Sequence, residues 1–346
     1  MADWLVRPYR AGDEPALIEL YQRATQRAIT PEHWQWKLNT LPASVPSVWL
    51  AFDGARPIFQ YAGCPLRYHF PSGERSGVVS VDTMTDPDYR RRGLLSQVGA
   101  QVFDTWRAAG HAFVIGLPNE KWGSRLAALG YVDLFPLQWL VRPMQIEALA
   151  ARRLRLNWPT NLAPLSALAQ RGWNRSLPID PAVVVREIDR AGAEIDQLWR
   201  TAHDPQRVSI VRDSAWLNWR YVAAPAFEYH VLLAARAGVT VGYVVYRLST
   251  QAKHRNGAIA EWFATYYLVA CALVRTALDR LYAARVESVA TLTIPGSSQW
   301  QLLKRSGFFP RHSFTVAINP FDNLPPLDWL RQPDHWLMFG GDYDVI

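Results

Sequence analysis

A pattern that recurs in the same order at a separation of about 180 residues is the strongest constraint on how this chain folds. Val6-Arg7 precedes YRAGDEPALIELYQRA, whose apolar residues fall at helical spacing, and Val185-Arg186 precedes EIDRAGAEIDQLWRTA. EHWQWK, ending at Lys37, is echoed by AWLNWR, ending at Arg220. Each is followed by a hairpin pattern: SVWLAF and PIFQYAG around Asp53-Gly54, then YHVLLAA and VTVGYVVY around Gly238. Finally VIGLPN and RLAALGYV return as LTIPG and LLKRSGFF. Shared order and a near-constant offset predict two copies of one unit built from strands and helices. The 346 residues are enough for each copy to bury its own core. The copies are expected at 1–144 and 182–320, with a connector at 145–181 and a tail at 321–346. The connector holds an Arg-rich helix candidate and then Pro159, Pro164 and Pro178. It reads either as a helix packed on one domain or as a basic amphipathic segment making weak peripheral contact with an anionic membrane.

The stretch that carries chemistry is VVSVDTMTDPDYRRRGLLSQVGAQVFDTWRAAG, Val78 to Gly110. A strand pattern from Val78 to Thr85 is broken by Asp86-Pro87. A helix pattern then starts near Gly93, with Leu94, Leu95, Val98, Val102, Phe103 and Trp106 at apolar spacing. A helix start presents unpaired backbone N–H groups and the positive end of its dipole, and a glycine there lets a diphosphate approach the main chain. Arg90, Arg91 and Arg92 add three cations beside it. Strand, tight turn and helix together describe an anion cradle; a solvated basic turn capping a helix is the plainer reading.

DPDYRRRGLL resembles the acetyl-CoA-binding motif of the GNAT acetyltransferase superfamily, in which Arg or Gln is followed by two residues, Gly, one residue, and Gly or Ala. Arg90 and Gly93 match, and Leu95 departs from the small final residue. From Trp4 to Met144 the order of predicted elements is also the GNAT order. The resemblance implies an α/β (α+β) fold of two tandem GNAT-like domains, each a mixed, mostly antiparallel twisted sheet flanked by helices. It implies acetyl-CoA or another acyl-CoA as donor. Thr85 would pair with the cofactor's backbone-like arm, Arg90, Arg91, Arg92, Gly93, Leu94, Leu95 and Ser96 would hold the pyrophosphate, and Asn119 would meet the pantetheine.

Acyl transfer to an amine or hydroxyl needs a base, donors for the developing oxyanion and an acid for the leaving thiolate. A splayed strand in such folds supplies the oxyanion donor. Asp82, on the strand entering the turn, stands where many GNAT enzymes place a carboxylate, and reads either as that base or as a surface strand acid. The family's thiolate-protonating Tyr lies four residues before a helix-ending Gly. Here that Gly is Gly130, and Leu126 stands at the Tyr position, while Tyr131 and Tyr89 do not replace it by spacing.

The second copy has lost the cradle. AEWFATYYLVACALVR, aligned with the phosphate turn, contains no Gly and no Arg before Arg275, although Glu261 falls where Asp82 falls in the first copy. A degenerate copy would serve as a partner and as one wall of an acceptor cleft. Trp216, Arg220 and Glu261 are candidates for that wall, and an aromatic core around Trp216 to Tyr221 is the alternative. The tail HWLMFGGDYDVI resembles neither copy. Asp342 and Asp344 beside Tyr343 are candidates to reach the cleft, against an edge-docked or disordered tail whose Trp336, Leu337, Met338 and Phe339 hold it down.

Several classes are disfavoured. The longest uncharged apolar stretch, between Glu261 and Arg275, is shorter than the roughly 20 residues a membrane-spanning helix needs. The charged N-terminus lacks a secretory pattern, so the expected location is cytoplasmic. Two cysteines, Cys64 and Cys271, make no disulfide framework and are expected in the core. The eight histidines show no metal-ligand spacing, so no metal is expected. A Ser hydrolase elbow is missing. The net charge of +7 suits a phosphate-bearing ligand, but Arg is scattered rather than blocked, and nucleic acid is not an expected partner. The sequence therefore points to an acyl-CoA-dependent N- or O-acyltransferase acting on a small-molecule or sugar acceptor. A non-catalytic acyl-CoA sensor and a Fem-like aminoacyltransferase are the alternatives.

Overall fold

The computed structural model describes residues 4–39, 47–118, 125–146, 163–225, 227–249, 255–322 and 324–343. These residues form two compact units, Met1–Phe135 with Pro205–Ile210 and Phe314–Trp336, and Pro136–Asp204 with Val211–Ser313 and Leu337–Ile346.

The first unit begins with β1 (Leu5–Pro8), α1 (Glu14–Thr25) and α2 (Pro31–Asn39). The long antiparallel strands β2 (Val48–Asp53), β3 (Arg56–Phe70) and β4 (Gly73–Thr85) follow. Next come α3 (Leu94–Ala108), β5 (Phe113–Gly116), α4 (Arg125–Ala128) and the start of β6 (Val132–Pro143). Sheet order is β1-β2-β3-β4-β5, with only β4 and β5 parallel. The apolar stripe of α3 puts Val98, Val102, Phe103 and Trp106 against Tyr61, Val78 and Val114, giving this unit its core.

The second unit repeats that plan with β7 (Val183–Ile188), α6 (Ala193–Ala202) and α7 (Ser214–Leu217), which runs into a π turn at Asn218–Val222. It continues with β9 (Glu228–Arg236), β10 (Val239–Ser249), β11 (Asn256–Ala264), α8 (Tyr267–Ala283), β12 (Ser288–Thr293) and α9 (Ser298–Arg305). Before β7 stands α5 (Ala163–Arg175), in the second part of the predicted connector. Sheet order is β7-β9-β10-β11-β12, again with a single parallel pair, β11 with β12. Helix α8 contributes Val269, Leu273, Val274, Leu278 and Leu281 to the core, and Cys271 is buried there as Cys64 is in the first unit.

The units do not coincide with the contiguous segments 1–144 and 182–320. The distal part of β6 pairs with β12, from Gln138 opposite Thr293 to Pro143 opposite Ser288. The end of β13 (Phe309–Pro320) pairs with β5, from Ala317 opposite Gly116 to Pro320 opposite Phe113. Each sheet is thus closed by the last strand of the other copy, a long-range pairing that hydrophobic periodicity does not report. A two-residue strand, β8 (Ser209–Ile210), also joins the first unit beside β3. Among the described residues no helix is long and apolar enough to cross a membrane.

Candidate active site

In the first unit β4 and β5 pair only from Gly77 opposite Phe113 to Val79 opposite Ile115, while β4 continues to Thr85. The two parallel strands therefore part, and the β5-facing edge of β4 is open to a ligand that can hydrogen-bond in strand fashion. Opposite this edge a β-bulge interrupts the pairing with β3. Gln60 opposes Met84 and Ala62 opposes Val81, so Asp82 and Thr83 together face Tyr61. Asp82 takes a left-handed conformation, φ 43°, and the Gln60 side-chain amide donates to its carbonyl at 3.0 Å.

The Asp82 carboxylate is not a surface strand acid. Its side chain is 13% exposed and meets the ammonium of Lys37, 6% exposed, at 2.6 Å. Lys37 closes α2 and is the last residue of the EHWQWK motif. The repeat marked it, but without the fold nothing linked it to Asp82.

After β4 the chain makes a 3₁₀ turn, Pro87–Tyr89, capped by Asp86, whose side chain accepts from the Asp88 amide. Asp86 also takes ion pairs from Arg23 and Arg56, both at 2.8 Å. Burial pushes its pKa up, but Arg56, the Asp88 amide and Arg23 outweigh this and hold the carboxyl below its usual range. The three arginines then divide their work. Arg90 donates to the Ala24 carbonyl, and Arg92 donates to the Asp88 carbonyl while lying over the Tyr89 ring at 4.8 Å. Arg91, φ 66°, is exposed and has no hydrogen-bond partner among the described residues. Two of the cations thus brace the turn and one remains available to an anion.

Gly93 precedes α3 with φ 82°, a conformation L side chains rarely adopt, and a Cβ there would meet nothing within 4 Å. The first helical bond in this turn runs from the Gln97 amide to the Gly93 carbonyl at 3.1 Å. Among the described residues the amides from Arg91 to Ser96 have no partner. Six main-chain donors at an exposed helix mouth are the donor set that an anion site requires. Leu94 is buried in the core and offers the site only its amide; Leu95 is half-buried and packs on the same core; Ser96 is exposed. Thr85 ends β4 opposite Phe59. Asn119 lies outside the described residues.

Leu126 sits on α4, half-buried against the core. Tyr89 donates to Asp53 at 2.6 Å, away from the open edge of β4. Tyr131 is buried, its hydroxyl 3.0 Å from that of Tyr61, to which Ser80 donates at 3.4 Å. Burial pushes Tyr61 up to about 12 and Tyr131 well above its ordinary value, so both stay protonated. Ser80 follows the last paired residue of β4, so this line of hydroxyls ends where the strands part. Spacing rules passed over Ser80 and Tyr61 because each lies inside a quoted strand pattern and only the pairing of β3 with β4 brings their hydroxyls together.

The proposed acceptor wall in the second unit is corrected by burial. Glu261 is 0% exposed and accepts from Trp216 Nε1 at 3.2 Å, the Tyr221 hydroxyl at 2.7 Å and the Tyr243 hydroxyl at 2.5 Å, with Arg212 Nε at 3.7 Å. Arg220 is buried and donates to the carbonyls of Gly341 and Tyr343. Trp216, Arg220 and Glu261 are interior groups of that unit and present no open wall. Asp342 is buried with them, accepting from Arg212 at 2.6 Å and from the Phe339 amide at 2.9 Å. Asp344 lies outside the described residues. At α8 no glycine precedes the helix: Tyr266 is the N-cap, in extended conformation, and its carbonyl accepts from the amides of Val269 and Ala270 as the first helical bonds. Among the described residues no three His, Cys, Asp or Glu side chains group to hold a metal ion.

A mixed sheet whose one parallel pair splays beside a glycine-led, donor-rich helix mouth is the arrangement of a GNAT-like fold. Residues 5–126 match the family model of the acetyltransferase (GNAT) domain. Among solved structures, the chain is similar to a GCN5-related N-acetyltransferase from Anabaena variabilis (9% identity, TM-score 0.64), covering 92% of this chain and 73% of that one. It is also similar to a probable N-acyltransferase from Enterococcus faecalis (14%, TM-score 0.64), with 93% and 73% covered. A third likeness is to N-myristoyltransferase from Saccharomyces cerevisiae with bound myristoyl-CoA (10%, TM-score 0.63), with 92% and 79% covered. At these identities the likeness is one of fold. No curated protein matches the sequence.

Proposed function

We propose that the chain is an acyl-CoA-dependent N- or O-acyltransferase that takes acetyl-CoA in its first unit and a small-molecule or sugar acceptor. The observation that carries this reading is the row of unpartnered amides from Arg91 to Ser96 at the open mouth of α3, next to the unpaired edge of β4. Those amides and Arg91 receive the pyrophosphate. The free edge of β4 as far as Thr85 receives the amides of the pantetheine, with Asn119 a further contact. When bound, an acyl-CoA supplies an activated thioester carbonyl. The main chain of β4 around the bulge stabilises negative charge on the carbonyl oxygen. Asp82 takes the proton lost by the attacking amine or hydroxyl, directly or through water, as the new C–N or C–O bond forms and the C–S bond breaks. The departing thiolate takes a proton from solvent.

Calorimetry with acetyl-CoA tests the donor site. The full chain should bind one equivalent, and Gly93→Asp should weaken binding at least about tenfold, because a carboxylate would enter the cradle. Gly93→Ala, sharing the backbone strain without the charge, should weaken it less. Unchanged affinity in Gly93→Asp removes the assignment. Thiol release across an amine and sugar panel then tests transfer. Leu126 in place of a Tyr favours a second reading, a catalytically silent acyl-CoA sensor, and binding without thiol release on any acceptor would establish that reading instead.

A further inference from the structure

The second unit has its own parting of strands. Strands β11 and β12 pair from Asn256 opposite Ser288 to Ala258 opposite Ala290, yet β11 continues to Ala264 and β12 to Thr293. The end of the chain touches both of the diverging strands. Thr293 forms an isolated antiparallel bridge with Phe339, and its hydroxyl donates to the Met338 carbonyl at 3.2 Å. Phe339 is fully buried, its ring 4.6 Å from that of Trp262 on β11. A Cβ on Gly341 would overlap the Tyr221 hydroxyl and lie 3.2 Å from the Ala260 carbonyl of β11, so only a bare backbone fits there. Arg220 holds the carbonyls of Gly341 and Tyr343, and Arg212 holds Asp342.

We infer that the gap between β11 and β12 is a peptide-binding slot, and that its ligand is the chain's own segment 337–343. That segment occupies the position corresponding to the open β4 edge of the first unit, leaving the second unit without an acyl-CoA site. The segment meets β12 through one isolated bridge and then turns as a 3₁₀ helix at Gly340–Asp342, so it is held by an aromatic anchor and by side-chain clamps on its carbonyls rather than by a strand ladder. Ordering a segment of this length costs conformational entropy, which the burial of Met338, Phe339 and Tyr343 and the two arginine clamps offset. The clamps also explain why Arg220 ends its motif as Arg where the first copy has Lys37: a guanidinium reaches two carbonyls at once. This inference does not depend on the first unit being catalytic.

The test uses the full-length chain and a labelled synthetic peptide of sequence LMFGGDY. In the wild-type chain the slot is filled, so the peptide should bind weakly or not at all. In the double variant Phe339→Ala/Gly341→Val the resident segment is weakened, and the peptide should bind at least about tenfold tighter than to wild type. Equal binding to both chains overturns the proposal. If the variant does not fold, hydrogen exchange on the wild type decides. Amides of 338–343 should be protected as strongly as those of β11, and exchange at unprotected rates overturns it.

Discussion

The two units share a strand order, one parallel pair that splays, a carboxylate on the strand before the turn and a helix after it, and they differ in what fills the gap. In the first unit the helix mouth opens with Gly93 and six amides that have no partner among the described residues. In the second the helix follows Tyr266 with no glycine and no arginine beside it, and the gap is taken by Phe339 and its neighbours. The carboxylates diverge in the same sense. Asp82 sits on a bulge beside the Lys37 ammonium and remains 13% exposed, whereas Glu261 is fully buried among three donors and an arginine. The difference teaches that the scaffold depends on apolar faces common to both copies, while the proposed function depends on a few residues at one turn.

The largest expected effect separates the two acids by activity. Asp82→Asn should lower kcat/KM of the proposed transfer by about a hundred- to ten-thousand-fold with little change in acetyl-CoA affinity, as loss of a general base does. Activity within threefold of wild type would strip Asp82 of that role. Glu261→Ala should act on folding instead. It leaves three buried donors without their acceptor and Arg212 with one carboxylate fewer, so denaturant unfolding should report a loss of about 3–5 kcal/mol. A loss under about 1 kcal/mol would show that the cluster is not a structural keystone of the second unit.

Between these lies Lys37. Lys37→Met removes the ammonium from a nearly buried carboxylate, and should cost about 1–3 kcal/mol of stability together with part of the transfer rate. Lys37→Arg should restore both in part. If Lys37→Met and wild type transfer at the same rate, the ion pair serves folding only and the parallel with the second unit becomes closer.

The fold was legible because it was written twice. Periodicity at α3 and α8 and hairpin turns at Gly54 and Gly238 fix local structure through nearest neighbours, and repetition of their order fixes the plan. The turn before α3 was legible for the same reason, since Gly93 and the helix after it are contiguous. What stayed hidden was non-local. No local signal pairs Lys37 with Asp82, brings the end of β13 to β5, or sends residues 337–343 into the gap beside β11. The acceptor-wall reading of Trp216, Arg220 and Glu261 failed on that ground. Their types suit a cleft, and only the packing of Tyr221, Tyr243 and Asp342 around them shows that they are interior.

The smallest effect tests the comparison through pH. In the first unit His111 has Nδ1 2.7 Å from Ser76 Oγ and a buried Nε2 without a partner among the described residues. Burial holds its pKa below the ordinary 6.5, so the folded state favours the neutral ring. Its contribution to stability is full above 6.5 and is lost as pH falls through that value toward the depressed one. In the second unit Asp342 is pushed up to about 6 from 3.8, by burial first and by Glu261, against the pull of Arg212. Here the folded state favours the protonated acid, so the cost of its ionisation is fully present above about 6 and is relieved as pH falls toward 3.8. Acidification from neutrality to pH 5 should therefore loosen the strand ends around His111 while tightening segment 337–343. Hydrogen exchange corrected for its intrinsic pH dependence should show protection moving in opposite directions at the two places, by several-fold at each. Parallel changes would mean that neither group titrates against its own surroundings, and that the contrast between the units stops at the helix mouth.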